Sequence, residues 1–180
     1  MKQRIRHAIY FIILLAIDQT TKYWARTYLK ENGPIDIIPG ALKLQFHKNS
    51  GAIWGILQGQ IVFLVALTII LLSFLVFAYI KIPKDKKYNP LRIIWVFIMA
   101  GAIGNFIDRI SYRYVVDFIY FSLIDFPLFN FADSCLTVSS IVMMILALFY
   151  YKDKDFEFVD GLFKRKKKKQ SEHDDTGKDA

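Results

Sequence analysis

IVFLVALTIILLSFLVFAYI, residues 61–80, carries no charged side chain, and its only hydroxyls short of Tyr79 are Thr68 and Ser73. Roughly twenty such residues cross the hydrocarbon core of a bilayer, so this stretch predicts a transmembrane helix. Ser134 to Tyr151 is a second uncharged stretch, followed by Lys152 and Lys154 as interfacial anchors. Ile93 to Ile107 is shorter; Arg92 can snorkel at one end, and Asp108 and Arg109 close the other. Ala8 to Ile17 has the length of a signal-peptide core, with Lys2, Arg4 and Arg6 before it. No small-x-small cleavage site follows, and after Asp18-Gln19-Thr20-Thr21-Lys22 the apolar character resumes at Tyr23-Trp24-Ala25, so a retained helix is expected. The predicted fold is an all-α integral membrane protein with spans at about 8–25, 61–80, 91–109 and 133–151.

Composition agrees. The 180 residues are 54% hydrophobic and 16% aromatic with a single Cys, which excludes a disordered chain and a disulfide-stapled secreted domain. A net charge of +8 hints at nucleic acid, but its distribution follows the spans. Four spans put both termini on one side; that side holds 17 of the 24 Lys and Arg and the whole net charge, while the other is formally neutral. The excess is a topology signal that places both termini in the cytoplasm and gives no reason to expect nucleic acid as a partner. Residues 1–151 read as one membrane-embedded domain and 152–180 as a basic, polar, flexible tail. Its Lys164 to Lys169 block is a solvated run or, as a second reading, a contact for anionic membrane lipid.

Outside lie Arg26 to Gln60 and Ile110 to Asp133. Leu42, Leu44 and Phe46 alternate with Lys43, Gln45 and His47, the period of a half-buried strand, and Pro34, Pro39-Gly40 and Asn49-Ser50-Gly51 punctuate it. A small extracytoplasmic sheet or loop region on the helix ends is expected.

Ionisable groups at spans are costly unless paired or wet, which makes them functional candidates. Asp18 and Lys22, four apart, can pair on one helix face. Gly101, Gly104, Asn105, Asp108 and Arg109 form one small and polar stripe, the glycines serving close helix packing. Asn130, Asp133, Thr137 and Ser140 follow helical spacing onto a second stripe, and Val115-Val116-Asp117-Phe118 sets a carboxylate among strand formers. Of the histidines only His47 is outside, so no His-rich zinc site can form there. Cys135 reads as core, with His47 the one available base were it a nucleophile. Carboxylates are what remain. Two held close share a proton, and such a pair can activate water against a carbonyl with no metal or cofactor. Paired aspartates also build ion pathways, so a small ion-coupled transporter or channel stays open, as does a non-enzymatic assembly factor whose stripes bind partner helices.

Five blocks in order resemble those of the bacterial lipoprotein signal peptidase (signal peptidase II) family, across about Ile9 to Tyr151: Asp18-Gln19-Thr20-Thr21-Lys22, Asn49-Ser50-Gly51-Ala52-Ile53-Trp54-Gly55, Gly101 to Arg109, Val115-Val116-Asp117-Phe118 and Phe129-Asn130-Phe131-Ala132-Asp133. The resemblance implies an aspartic endopeptidase of the bacterial cytoplasmic membrane, and a monomer is expected. It would remove signal peptides from diacylglyceryl-modified prolipoproteins, cutting before the lipidated cysteine. By that match Asp117 and Asp133 form the catalytic dyad. Asn49, Asn105, Arg109 and Asn130 would surround and position substrate, Asp18, Lys22 and Asp108 would give support, and Gly51 and Ala132 would serve substrate binding or support. One departure, Ile53-Trp54 where the family more often has a smaller residue and then Phe, bears on the shape of the outer loop.

Overall fold

The computed structural model describes residues 2–52 and 56–159; the Ile53-Trp54 departure and the Lys164 to Lys169 block lie outside the described residues. Helix α1 (Lys2–Trp24) continues through a π-helical turn, Ala25–Leu29, and one more turn, Lys30–Asn32. Gly33 stops it, taking φ 84°, which a residue without Cβ adopts freely, while its N–H closes on the Leu29 carbonyl at 3.1 Å. There follow β1 (Ile35–Ile38), β2 (Leu42–Asn49), α2 (Ile61–Lys81), α3 (Asn89–Tyr112), β3 (Val115–Phe121) and α4 (Phe131–Phe149).

Among the described residues α2, α3 and α4 are long and apolar enough to cross a membrane. Helix α2 shows what lipid demands: Val62 and Ile70 are 73% and 66% exposed, and the Thr68 and Ser73 hydroxyls donate to the Leu64 and Ile69 carbonyls one turn back. Helix α1, with five charged residues, is not in that set. It nevertheless lies along α3 from end to end. Near its start Gln3 bonds Asn89 and Arg92; near its end Lys22 Nζ reaches Asn105 Oδ1 at 2.8 Å and Asp108 Oδ2 at 3.5 Å. Helix α2 runs the other way, bringing Tyr79 to His7 (2.8 Å) and the Leu75 carbonyl to Trp95 Nε1 (2.8 Å). So does α4, whose start meets the end of α3 through Asn105 and Asp133.

Helix packing is close because α3 has no side chain where its neighbours cross. A Cβ on Gly101 would stand 2.6 Å from the Ala132 carbonyl, and one on Gly104 would collide with the Asp18 carboxylate. Leu14, Ala100 and Cys135 form the core between these helices, with Phe11, Phe97 and Phe131 around them.

The three antiparallel strands, in order β1-β2-β3, sit at the end of the bundle that holds Asp18, Lys22 and Asp108. Leu44 and Phe46 turn onto Ala25, Leu29, Val116 and Phe118, as the alternation predicts. Between β2 and β3 the register slips: Leu44 faces Ile119 but His47 faces Asp117, so two residues of β2 oppose Phe118 alone. That bulge has a consequence at the site.

At the other end the chain after α4 packs instead of leaving the bundle. Tyr151 is buried against Ile82 and Leu91, stacks on Tyr88, and donates its hydroxyl to the Lys87 carbonyl. Asp155 pairs with Lys87 and accepts from the Lys152 N–H. Residues 152–159, which composition places in the tail, thus begin as folded structure.

Candidate active site

Asp117 lies on β3 and Asp133 in the first turn of α4, and Asn130 connects them. The chain leaves β3 at Phe121, turns through Ser122–Ile124 and Asp125, and comes back so that Phe129 pairs with Ile119, with backbone bonds of 2.9 and 3.1 Å. This return sets Asn130 beside Asp117. Its Nδ2 donates to Asp117 Oδ1 at 2.7 Å and to Asn105 Oδ1 at 3.2 Å. The same Asn130 caps α4. Its Oδ1 accepts from the Asp133 N–H at 3.0 Å, and its own N–H donates to Asp133 Oδ2 at 3.2 Å, a reciprocal capping box.

The other oxygens of the pair are held by two more amides. Asn49 Nδ2 donates to Asp117 Oδ2 at 2.8 Å, and Asn105 Nδ2 donates to Asp133 Oδ1 at 2.7 Å. Both carboxylates are therefore oriented by neutral donors, and neither forms an ion pair among the described residues. Asp117 is 1% exposed, and that burial, with the charge of Asp133 beside it, pushes its carboxyl up to about 7.

The β2 bulge is what permits the Asn49 contact. With His47 opposite Asp117, Asn49 points to the same face as Asp117; in the register of Leu44 and Ile119 continued without slip, it would point to the other. Asn49 Oδ1 also accepts the Gly51 N–H at 2.9 Å, and Arg109 Nη2 donates to the Gly51 carbonyl at 3.2 Å. The buried Arg109 Nε has no partner among the described residues.

Beneath the pair lies an ionic layer. Lys22 Nζ, 2.9 Å from Asp18 Oδ2 and 3.5 Å from Asp108 Oδ2, also donates to Asn105 Oδ1 at 2.8 Å, and all three charged side chains are at most 3% exposed. Each aspartate also accepts a backbone N–H: Asp18 takes that of Ala132 and Asp108 that of Val116, both at 2.9 Å. These bonds pin the start of α4 and the start of β3, the two segments that carry the carboxylate pair. A carboxamide that accepts from an ammonium presents its NH2 outward, so Lys22 sets which way Asn105 faces Asp133.

All eleven candidate residues meet here. The second stripe does not extend as its spacing suggests: Asn130 is the extended cap before α4, while Thr137 and Ser140 are exposed, the latter bonded back to the Leu136 carbonyl. Cys135 stays in the apolar core, and His47 is exposed on β2. Gln19 was not singled out from the sequence. Its Nε2 donates to Asp18 Oδ2 at 3.0 Å and to the Gly104 carbonyl at 3.2 Å, and its position between Asp18 and Lys22 was the available signal.

Comparison with known proteins converges on one group. Residues 10–149 match the family model for signal peptidase (SPase) II. Lipoprotein signal peptidases of Staphylococcus aureus strains JH9 and Newman are each 43% identical over 153 residues, covering 79% of this chain and 91% of theirs. Two solved structures described as bacterial membrane enzymes superpose with TM-scores of 0.72 and 0.70 at 40% and 39% identity. They cover 79% and 81% of this chain, and 87% and 94% of their own. With the motifs, the fold and these likenesses in agreement, the chain belongs to the signal peptidase II family.

Proposed function

We propose that the chain is a membrane aspartic endopeptidase that removes signal peptides from diacylglyceryl-modified prolipoproteins, cutting before the lipidated cysteine with Asp117 and Asp133 as its dyad. The observation that carries this reading is the tethering of two carboxylates from different elements to one residue, Asn130. With Asp117 lifted to about 7, the pair holds a single proton near neutrality. The ionised member takes a proton from water as it attacks the scissile carbonyl. The protonated member donates toward the carbonyl oxygen, and the roles reverse as the amine leaves. Asn49, Asn105 and Asn130 hold the carboxylates; Arg109, whose Nε has no partner among the described residues, and Gly51 face the substrate backbone.

In this reading α1 is the fourth span, because it runs the full length of α3. The count of Lys and Arg supports cytoplasmic termini and a dyad at the extracytoplasmic surface. Residues 1–151 form the peptidase domain, acting as a monomer. A scissile bond beside an acyl-anchored cysteine is held at the interface, where the sheet end of the bundle lies. A cation path through Asp18, Asp108, Asp117 and Asp133 is disfavoured by their bonding, since Asp18 and Asp108 are committed to Lys22.

Asp117→Asn and Asp133→Asn should each abolish cleavage of a lipidated precursor, by at least about a thousandfold, while the protein still inserts and folds. Undiminished cleavage by either variant removes the dyad assignment. Equal cutting of diacylated and unmodified precursor removes the lipoprotein specificity.

A further inference from the structure

The end of the bundle opposite Asp117 and Asp133 holds buried positive charge that no carboxylate among the described residues balances. Arg92, in the first turn of α3, is only 8% exposed. Its Nη1 donates to Gln3 Oε1 at 3.0 Å, its Nε is buried without a partner, and its Nη2 bonds nothing among the described residues. Gln3 in turn donates to Asn89 Oδ1, which also accepts from Arg6 Nη2 at 3.3 Å. Two guanidinium groups are thus held on either side of one pair of carboxamides. Next to Arg6, His7 is 2% exposed; its Nδ1 meets the Tyr79 hydroxyl, and its Nε2 is a second buried atom with no partner among the described residues. Helix α3 adds its own positive end here, with no acid in its first turn and no side-chain cap.

Among the described residues the acids of this end do not supply the missing charge. Asp155 is committed to Lys87, and neither Asp85, Asp153 nor Glu157 forms an ion pair with Arg6 or Arg92. Leaving a buried guanidinium without a counter-ion at the edge of a low-dielectric slab is expensive. The apolar stretch of α2 ends here and that of α3 begins, which sets the cluster at headgroup depth. Beside Arg6, Ile5, Ile9 and Ile12 follow helical spacing on α1, and all are exposed, as is Ile80 next to Tyr79.

We propose that Arg6 and Arg92 form a binding site for the phosphodiester of an anionic phospholipid, whose acyl chains lie along Ile5, Ile9 and Ile12. Phosphate fits where carboxylate is lacking because each guanidinium offers parallel N–H donors to its oxygens. A lipid with a cationic headgroup is disfavoured, since its ammonium would face two arginines and a helix N-terminus. The site lies at the far end of the helices from Asp117 and Asp133, so it stands or falls independently of the dyad.

Native mass spectrometry of the full chain, released from detergent, tests this with dioleoylphosphatidylglycerol, dioleoylphosphatidylcholine and inorganic phosphate as separate probes. The wild type should retain one phosphatidylglycerol in preference to phosphatidylcholine. Arg6→Gln and Arg92→Gln should each weaken that retention about fivefold, with peptidase turnover in detergent unchanged as the check on folding. Arg6 is exposed, so its variant carries the test even if Arg92→Gln does not fold. Equal retention of the two lipids, or unchanged phosphatidylglycerol binding by the Arg6 variant, overturns the proposal. Displacement of the lipid by millimolar inorganic phosphate overturns it too, assigning the site to a free anion.

Discussion

Asn130 is held from two directions, by the pairing of Phe129 with Ile119 and by the cap it gives α4, and only a carboxamide can then serve both aspartates at once. Its NH2 serves Asp117 while its oxygen serves the Asp133 N–H, which neither an aspartate nor a leucine could do. Lys22 has a comparable place one layer down. Lys22→Met leaves Asp18 and Asp108 buried without a counter-ion, which should cost about 3–5 kcal/mol. It should also lower kcat more than it raises KM, because Asn105 loses its orientation; thermal unfolding and cleavage kinetics in detergent check both. The pH dependence follows from Asp117. With its carboxyl raised from 3.8 to about 7, kcat/KM should fall as pH climbs past about 7, approaching tenfold per unit where both members of the pair are charged. The same shift destabilises the fold in that direction. Between about pH 4 and 7 the folded chain keeps a proton that the unfolded chain releases, so stability is lost progressively as pH rises from about 4 through 7 and levels off above it. Asp117→Asn should therefore unfold at a higher temperature than wild type at pH 8, with the gap narrowing toward pH 4.

The helices themselves follow closely from hydropathy, since span length and apolar content are local properties. Their ends differ by a few residues because caps set them: α3 begins at Asn89 with Pro90 in its first turn and stops where Arg113 takes φ 65°, and α4 starts after Asn130. The glycines of α3 were legible as packing residues, and the contacts give them specific partners. Gly104→Ala drives a methyl into the Asp18 carboxylate and through it disturbs the bond to Ala132. A loss of about 1–3 kcal/mol and a marked fall in turnover are expected, read by thermal unfolding and cleavage assay. The strand β2 was legible too, but its bulge was not. Nothing in the alternation of Leu42 to His47 signals that Gln45 and Phe46 together face Phe118, yet that slip turns Asn49 toward Asp117.

Across the whole molecule the two ends of the bundle have opposite characters. One gathers carboxylates, amides and the sheet; the other gathers arginines and a cluster of aromatic rings that ties the chain after α4 to the turn between α2 and α3. Tyr151→Ala should remove the stack on Tyr88 and the bond to Lys87, at about 3 kcal/mol. Trypsin should then cut rapidly after Lys152 and Lys154, with cleavage of precursor retained, since Asp117 and Asp133 lie at the far end. Local sequence was enough to establish the long apolar helices, the asymmetry of the basic residues and the inventory of polar groups near the sheet end of the helices, because each depends on residues adjacent along the chain. Which oxygen meets which donor was settled by long-range geometry. The return of Phe129 to β3, the bulge in β2 and the bare backbone at Gly101 and Gly104 bring residues up to 114 positions apart into hydrogen-bond contact, and no local pattern records those distances.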